Sequence, residues 1–176
     1  MATALLITGS VGVGKTTVAD VAGDLLSAEG VPNAVIDLDW LRRAWPAPPS
    51  DPWNGRLTLR NLRAVAANYL AAGAERLVLA GVIESRAERH GYEEALGVPF
   101  AVCRLHVELP EVHRRLKARH ELDPDGLDWH LGRAGELAAI LDAARVEDFT
   151  VDGTHGTPPQ VAARVIEGWR ATVAQG

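Results

Sequence analysis

Short apolar runs alternate along this chain with longer stretches in which apolar and polar residues recur at helical spacing. The apolar runs have the length of strands, and we predict strands over Ala4–Thr8, Asn33–Leu38, Arg76–Ile83, Phe100–Val107 and Asp148–Asp152. Strands that alternate with helices in this way form a parallel sheet covered by helices on both faces. The pattern therefore predicts an α/β fold with three layers around a five-stranded parallel sheet.

Apolar residues three and four positions apart predict helices between these strands. The predicted helices cover Thr16–Ala28, Trp40–Trp45, Leu57–Ala72, Ser85–Leu96, Pro110–His120, Leu131–Ala144 and Thr157–Ala174. The proline-rich segment 46–52 is incompatible with regular structure, and residues 121–129 predict a polar turn. We expect this turn and its flanks, about 119–133, to form a small helical lid.

The segment between the first strand and the first helix follows the pattern G-x-x-x-x-G-K-[ST] from Gly9 to Thr16. Glycines in this pattern let successive backbone N–H groups curl around phosphate oxygens, and the helix N-terminus adds unpaired donors. Lys15 supplies a charge for the β- and γ-phosphates, and the Thr16 hydroxyl is a ligand for Mg²⁺. The alternative is a plain strand–turn–helix whose glycines only serve a tight turn. We predict that ATP with Mg²⁺ is bound by Gly9, Ser10, Val11, Gly12, Val13, Gly14, Lys15, Thr16 and Thr17.

Composition narrows the classes of function. With 176 residues, 47% hydrophobic and 23% charged, the sequence predicts one globular domain spanning 1–176. It has no leader pattern and no apolar run near roughly 18 residues, which favours a cytoplasmic protein without a membrane segment. The net charge of −5 argues against general affinity for nucleic acid. Cys103 is the only cysteine, so an internal disulfide is excluded.

Ligands of parallel α/β sheets bind at the carboxyl ends of the strands. This rule brings the phosphate loop (Gly9–Thr16), Asp37 and Asp39, Gly81–Ser85 and Asp152–Thr157 to one edge of the sheet. A carboxylate there is suited to accept a proton from an attacking hydroxyl, or to hold a water bound to Mg²⁺. The alternative is that one of the two aspartates, Asp39 above all, only caps the short helix that follows.

Two groups of arginines are candidates for binding anions. Arg56, Arg60 and Arg63 recur along one stripe of a predicted helix, and guanidinium groups bind phosphate, sulfate or carboxylate in a bidentate way. The alternative is a solvated helix face, and Arg63 is the preferred candidate of the three.

The second group flanks the predicted polar turn and consists of Arg114, Arg115, Arg119 and Arg133. Arginines that close from a lid stabilise the charge of a transferring phosphoryl group, and Arg119 and Arg133 are the preferred candidates because they face each other across the turn. The alternative is that all four are exposed helix residues.

Two segments near the predicted edge give weaker signals. The loop Asp152–Thr157 can wrap an adenine through its backbone groups, with Thr154 as the candidate contact, or it is a plain loop in which Thr157 caps a helix. Glu84 follows the third strand where it could hold a metal-bound water.

Three stretches resemble the small P-loop kinases, and adenylylsulfate kinase most of all. They are Gly9–Thr17, Val35–Arg42 and Arg60–Ala66, which continues to Gly73. Gluconate kinases and chloramphenicol phosphotransferases are similar through the same scaffold. The resemblance implies that Asp39 contacts the acceptor hydroxyl and that Asn61 and Arg63 contact the substrate. Together with Asp37, Arg42 and Arg60, they are the predicted substrate-binding residues.

We therefore predict a kinase that depends on ATP and Mg²⁺ and phosphorylates a hydroxyl of a small, anionic metabolite. Its expected partners are ATP and this acceptor, with neither nucleic acid nor membrane. One alternative is a nucleotide switch or regulatory ATPase without an acceptor, although the guanine-reading pattern N-K-x-D of ordinary GTPases is absent. The other is a nucleic-acid end kinase, against which the acidic balance argues.

Overall fold

The computed structural model describes the chain from residue 1 to 119 and from 124 to 174. Its strands are β1 (Thr3–Thr8), β2 (Asn33–Asp37), β3 (Arg76–Ala80), β4 (Phe100–His106) and β5 (Phe149–Asp152). They form one sheet in the order β2-β3-β1-β4-β5, and every neighbouring pair is parallel. Strand β1 is therefore the central strand. The chain leaves it in the middle of the row formed by the carboxyl ends of the five strands.

Helices cover both faces of this sheet. They are α1 (Lys15–Ala28), α2 (Leu38–Leu41), α3 (Gly55–Ala71), α4 (Arg86–Leu96), α5 (Leu109–Arg119), α6 (Pro124–Ala144) and α7 (Pro158–Val173). Alternate side chains of β1 divide the core: Leu5 and Ile7 pack with α1, α5 and α7, whereas Ala4 and Leu6 pack with α3 and α4. The predicted fold class is confirmed. None of the described helices has the length and apolar character that a membrane span requires.

The structure corrects several predicted boundaries. Helix α6 begins at Pro124 rather than at Leu131, so residues 124–129 are helical and do not belong to a turn. Proline fits the first turn of a helix, and Leu127 and Leu131 pack against the core, which stabilises this earlier start. The rest of the predicted turn, residues 121–123, lies outside the described residues, as does His120 at the end of the helix predicted before it.

Two other elements are shorter than predicted. Strand β3 ends at Ala80, and residues 81–84 are irregular. Gly81 lies so close to Leu38 that a Cβ on it would come within 2.5 Å of the leucine Cδ1 atom. Helix α2 ends at Leu41, and the proline-rich segment behind it is irregular as expected.

Asn54 fixes the segment between α2 and α3. Its buried side-chain amide donates hydrogen bonds to the carbonyl oxygens of Arg42 (2.9 Å) and Ala44 (3.0 Å). Its backbone has φ +54°, a left-handed conformation that asparagine tolerates better than most residues. The Asp51 carboxylate accepts from the N–H groups of Gly55 (2.7 Å) and Arg56 (3.0 Å) and so caps α3. The segment is held at both of its ends.

We predict that Asn54→Ala lowers the free energy of unfolding by about 2–3 kcal/mol, because two hydrogen bonds are lost and alanine is strained at positive φ. Asn54→Gly loses the same bonds without this strain and should be the less destabilised variant. Urea unfolding of the three proteins measures both differences. Equal stability of Asn54→Ala and the wild type would show that the amide contributes nothing.

Candidate active site

The phosphate loop leaves β1 at the centre of the sheet and passes close to two other elements. A Cβ on Gly9 would lie 2.5 Å from the carbonyl oxygen of Leu105 in β4, so no larger residue fits there. Gly12 has φ +83°, and a Cβ on it would lie 2.9 Å from Cγ of Leu116 in α5. Helix α1 then begins at Lys15, where its first N–H groups have no partner within the helix. The loop thus has the form that phosphate binding requires.

Lys15 lies across this loop. Its part-buried ammonium group donates to the carbonyl oxygens of Gly9 (3.0 Å) and Ser10 (2.9 Å). Burial lowers the pKa of Lys15 to about 8, an effect that the negative charges of Asp39 and Asp37 partly oppose. Both carboxylates therefore lie within electrostatic reach of the lysine, as the expected common edge of the sheet requires.

Asp37 joins the phosphate loop to α2. One carboxylate oxygen accepts from the Thr16 hydroxyl (3.1 Å), and the other accepts from the backbone N–H of Asp39 (2.9 Å). Asp37 is consequently the residue that caps α2, and the alternative that gave this role to Asp39 is wrong. The strand ends one residue earlier than predicted, which moves the cap with it.

Oxygen ligands suited to Mg²⁺ meet at the start of α1. The Thr16 hydroxyl and the Asp37 carboxylate are hard donors of the kind that Mg²⁺ binds, usually together with waters and phosphate oxygens. Within the described ranges, no three His, Cys, Asp or Glu side chains gather into a metal-binding group. This donor set fits a metal that is shared with a phosphate ligand.

Asp39 is free of the capping role and faces solvent. Its side chain is 75% exposed, and one carboxylate oxygen lies 3.7 Å from Nε of Arg42. Arg42 also lies against Tyr92, where its charge opposes the burial that raises the pKa of this phenol. The structure thus brings together Asp39 and Arg42, two of the predicted substrate residues, with Tyr92 beneath them. Tyr92 has no signal in the sequence, because it lies on α4 and meets Arg42 only through the fold.

The remaining predicted substrate residues lie along α3. Asn61 donates to the Leu41 carbonyl oxygen (2.8 Å) and so ties α3 to the end of α2. Arg60 and Arg63 are exposed, and neither forms an ion pair or hydrogen bond with another residue of the described ranges. Two positions along a helix differ by about 200°, so Asn61 and Arg63 point to different sides of α3. The exposure of Arg60 and Arg63 agrees with the alternative in which this stripe of α3 is a solvated helix face.

Arg133 connects α6 to the sheet edge beside Asp37. Its guanidinium donates to the Glu84 carboxylate (2.6 Å), which follows β3, and forms an ion pair with Glu136 (2.8 Å). Both carboxylates help to raise the pKa of Arg133, so it stays charged. The side chain of Arg119 lies outside the described part of the chain, so its predicted position opposite Arg133 stays a prediction.

A cleft opens beside the phosphate loop, between α5 and the segment that follows β5. It has a volume of about 380 Å³ and is lined by Val13, Gly14, Thr17, Val18, Glu111, Arg114, Arg115, Gly153, Thr154, Gly156, Pro158 and Val161. Arg115 spans it, with Nη1 donating to the Val13 carbonyl oxygen (3.1 Å) and Nη2 to that of Gly153 (2.9 Å). Sequence reasoning assigned Arg115 to the lid and missed this role. The i, i+4 spacing of Glu111 and Arg115 was the available signal, since the two form an ion pair.

Two acidic residues order this cleft. Hydrogen bonds from Arg114 and Arg115 lower the pKa of Glu111 to about 2, so the cleft wall carries a permanent ion-pair cluster. Asp152 accepts from the backbone N–H of Thr154 (2.7 Å), which lowers the Asp152 pKa. The Thr154 hydroxyl accepts from the backbone N–H of Glu108 (3.0 Å) and fixes the loop behind β5 against β4.

We compared the chain with known protein families, curated sequences and solved structures. Neither a protein-family model nor a curated protein sequence matches the chain. Among solved structures, a tunicamycin resistance protein from Deinococcus radiodurans superposes with a TM-score of 0.68, covering 95% of each chain at 19% identity. The chain has the fold of the small P-loop kinases.

Two further small P-loop kinases have the same fold. A gluconokinase from Sinorhizobium meliloti has a TM-score of 0.63 at 19% identity, covering 98% of this chain and 94% of that one. An APS kinase from Mycobacterium tuberculosis, solved with AMPPNP and APS, has a TM-score of 0.63 at 24% identity, covering 96% and 98%. The expected resemblance to small P-loop kinases is confirmed at the level of the fold.

We predict that binding of a nucleoside triphosphate takes up a proton at Lys15 above pH 8. The free lysine loses its proton near this pH, and phosphate charges beside the amine favour the charged form, so affinity should fall by about tenfold per pH unit between roughly pH 8 and 10. Calorimetric titration with ATP at pH 9, in two buffers of different ionisation enthalpy, measures the uptake. Lys15→Met should bind more weakly and with the same heat in both buffers, whereas buffer-independent heat for the wild type would contradict the prediction.

Proposed function

We propose that this protein is an ATP-dependent phosphotransferase that transfers the γ-phosphoryl group to a hydroxyl of a small molecule. One observation carries the proposal: the exposed carboxylate of Asp39 lies within electrostatic reach of Lys15 in the phosphate loop. A candidate base for the acceptor and a candidate site for the triphosphate therefore lie next to each other. A switch ATPase has no need of this second group.

In this proposal, the phosphate loop and the neighbouring cleft form one binding surface for the nucleotide. The β- and γ-phosphates lie against the loop from Gly9 to Thr17, and Lys15 neutralises them. The base and ribose extend into the cleft of about 380 Å³ that Arg115 spans, beside Thr154. Backbone and arginine contacts of this kind suit adenine stacking as well as hydrogen bonding.

Mg²⁺ fits the oxygen donors at the start of α1. Thr16 would hold the metal directly, and Asp37 would hold it or one of its waters. When bound, Mg²⁺ neutralises charge on the β- and γ-phosphates. Because Asp37 also caps α2, its hydrogen bond to the Asp39 N–H keeps that residue beside the phosphates.

Transfer requires little covalent chemistry from the protein. The acceptor oxygen forms a bond to the γ-phosphorus, the bond from this phosphorus to the bridging oxygen breaks, and ADP leaves with the electron pair. Asp39 orients the acceptor hydroxyl and accepts its proton. Arg133 stabilises the charge of the transferring group by exchanging Glu84 for phosphate oxygens, and Arg119 is expected to assist it.

The comparisons support small-molecule phosphotransfer without choosing the acceptor. Gluconokinase and APS kinase are named for two different acceptors, although both have this fold. An anionic acceptor was the expectation from the sequence, with Arg63 as the contact for its charge and Arg42 among the other substrate residues. Arg42 already faces the Asp39 carboxylate, and Arg63 lies on an exposed side of α3. A negative charge on the acceptor therefore has less support than the presence of an acceptor hydroxyl.

We predict that Asp39→Asn lowers acceptor-dependent kcat by about 10²–10⁴-fold and leaves ATP affinity nearly unchanged, because the amide cannot take up a proton. ADP release with Mg·ATP, measured across a panel of small alcohols, sugar acids, nucleosides and adenylylsulfate, identifies the acceptor and gives both rates. Asp20→Asn, an exposed aspartate on α1, is the matched control and should behave as wild type.

The same assay can contradict the proposal. If no acceptor accelerates ADP release, and wild type and Asp39→Asn hydrolyse ATP at the same slow rate, the protein is a switch or regulatory ATPase.

A further inference from the structure

The tryptophans of this chain are distributed in an unusual way. Trp169 is buried in the core, with 3% of its surface exposed. The other four are exposed by more than half: Trp40 (69%), Trp45 (94%), Trp53 (69%) and Trp129 (56%). Tryptophan is buried on average in folded proteins, and exposed aromatic groups that cluster mark binding surfaces.

Three of these tryptophans lie beside Asp39. Trp40 is the next residue along α2. The Asn54 amide donates to the carbonyl oxygens of Arg42 and Ala44 just after this helix. Trp53 precedes Asn54 and Trp45 follows Ala44, so both tryptophans lie near the end of α2. All three therefore belong to the carboxyl end of β2, where the candidate base is found.

Trp129 approaches the same edge from α6. It lies one helical turn before Arg133, whose guanidinium is bound to Glu84 at the end of β3. Strand β3 is the neighbour of β2 in the sheet. The four exposed rings, which we call the tryptophan rim, thus flank the candidate acceptor site from α2, from the proline-rich segment and from α6.

Two arginines around this site are paired with carboxylates. Arg42 lies 3.7 Å from Asp39, and Arg133 lies 2.6 Å from Glu84, so each of these arginines faces a carboxylate. Arg43 stacks on the Trp40 ring at 4.6 Å from its centroid, which holds one face of the indole and leaves the other face open. The surface around Asp39 therefore offers apolar area and an open ring face beside these paired charges.

We propose that the acceptor is an alcohol with a flat, apolar body, such as an aromatic ring system, which stacks on the tryptophan rim. This inference rests on the proposed function and names its substrate class. Asp39 and Trp40 are consecutive in α2, so a molecule that stacks on the Trp40 ring can extend a hydroxyl to the Asp39 carboxylate. The hydroxyl oxygen then forms the bond to the γ-phosphorus of ATP, its proton passes to Asp39, and ADP leaves. Trp129 covers the acceptor from α6 and excludes water.

The location of the rim favours a small molecule over a protein partner. The four rings come from α2, from α6 and from both flanks of the proline-rich segment 46–52, and they do not form one face of a single helix. The exposed Tyr69 lies near the end of α3, far along the helix from its start beside Trp53, and provides a comparison outside the rim.

The test compares two classes of acceptor. We would measure ADP release with 2-(2-naphthyl)ethanol and 1-phenyl-1,3-propanediol, which are neutral and aromatic, and with gluconate and glycerate, which are anionic and aliphatic. We expect at least about a tenfold lower KM for the aromatic alcohols. Trp40→Ala and Trp129→Ala should each raise this KM by about tenfold or more and change kcat by less than about threefold, and Tyr69→Ala should leave both constants unchanged.

A binding measurement separates this inference from the proposed function. Quenching of tryptophan fluorescence by 2-(2-naphthyl)ethanol gives the affinity without turnover, and Trp40→Ala and Trp129→Ala should weaken it. Binding that depends on both tryptophans, with no phosphorylation, would support the rim and overturn the kinase. Phosphorylation of an anionic aliphatic alcohol, with a KM that the tryptophan variants do not change, would support the kinase and overturn the rim. Loss of a dimer in the same variants by sedimentation, with unchanged KM, would make the rim an interface between two copies and also overturn the inference.

Discussion

A single carboxylate connects the two halves of the candidate site. Asp37 accepts from the Thr16 hydroxyl with one oxygen and from the Asp39 N–H with the other, so the phosphate loop and α2 share one hydrogen-bonded residue. Since Thr16 lies in the first turn of α1 and Asp39 belongs to α2, one side chain sets the distance between the candidate triphosphate site and the candidate base. Proximity of this kind is the main contribution that a phosphotransferase makes to its reaction.

The nucleotide half depends on a comparable connection. Arg115 joins α5 to the phosphate loop through Val13 and to the segment behind β5 through Gly153. The loop is also pressed against β4, because Gly9 leaves no room for a side chain beside Leu105. The loop is therefore fixed by α5 and by β4, through residues that lie far from it in the sequence, which keeps its backbone donors in place before a phosphate arrives.

The parts of this arrangement that could be predicted are local in sequence. The phosphate loop, the parallel sheet and the edge that collects Asp37 and Asp39 follow from patterns of a few residues, and the structure agrees with them. The role of Arg115, the Asn61 bond to Leu41 and the pairing of Arg133 with Glu84 join residues that are 20 or more positions apart. No pattern within a helix distinguishes such an arginine from one in a solvated stripe, since the difference is made by the element across from it. The early start of α6 was missed for a similar reason, because packing of Leu127 and Leu131 on the core outweighs the polar composition of the first turn.

The way in which the proline-rich segment is anchored has a consequence for how this protein can diverge. Asn54 and Asp51 secure the end of the segment that enters α3, and Asn54 also holds residues 42 and 44 at its beginning. Residues 46–50 therefore form an insertion between fixed points. Their length and composition can change in evolution or in engineering without moving Asp39 or the phosphate loop, because loops between rigid elements accept such changes. A scaffold built in this way can change the surface beside Asp39 and keep its phosphate loop.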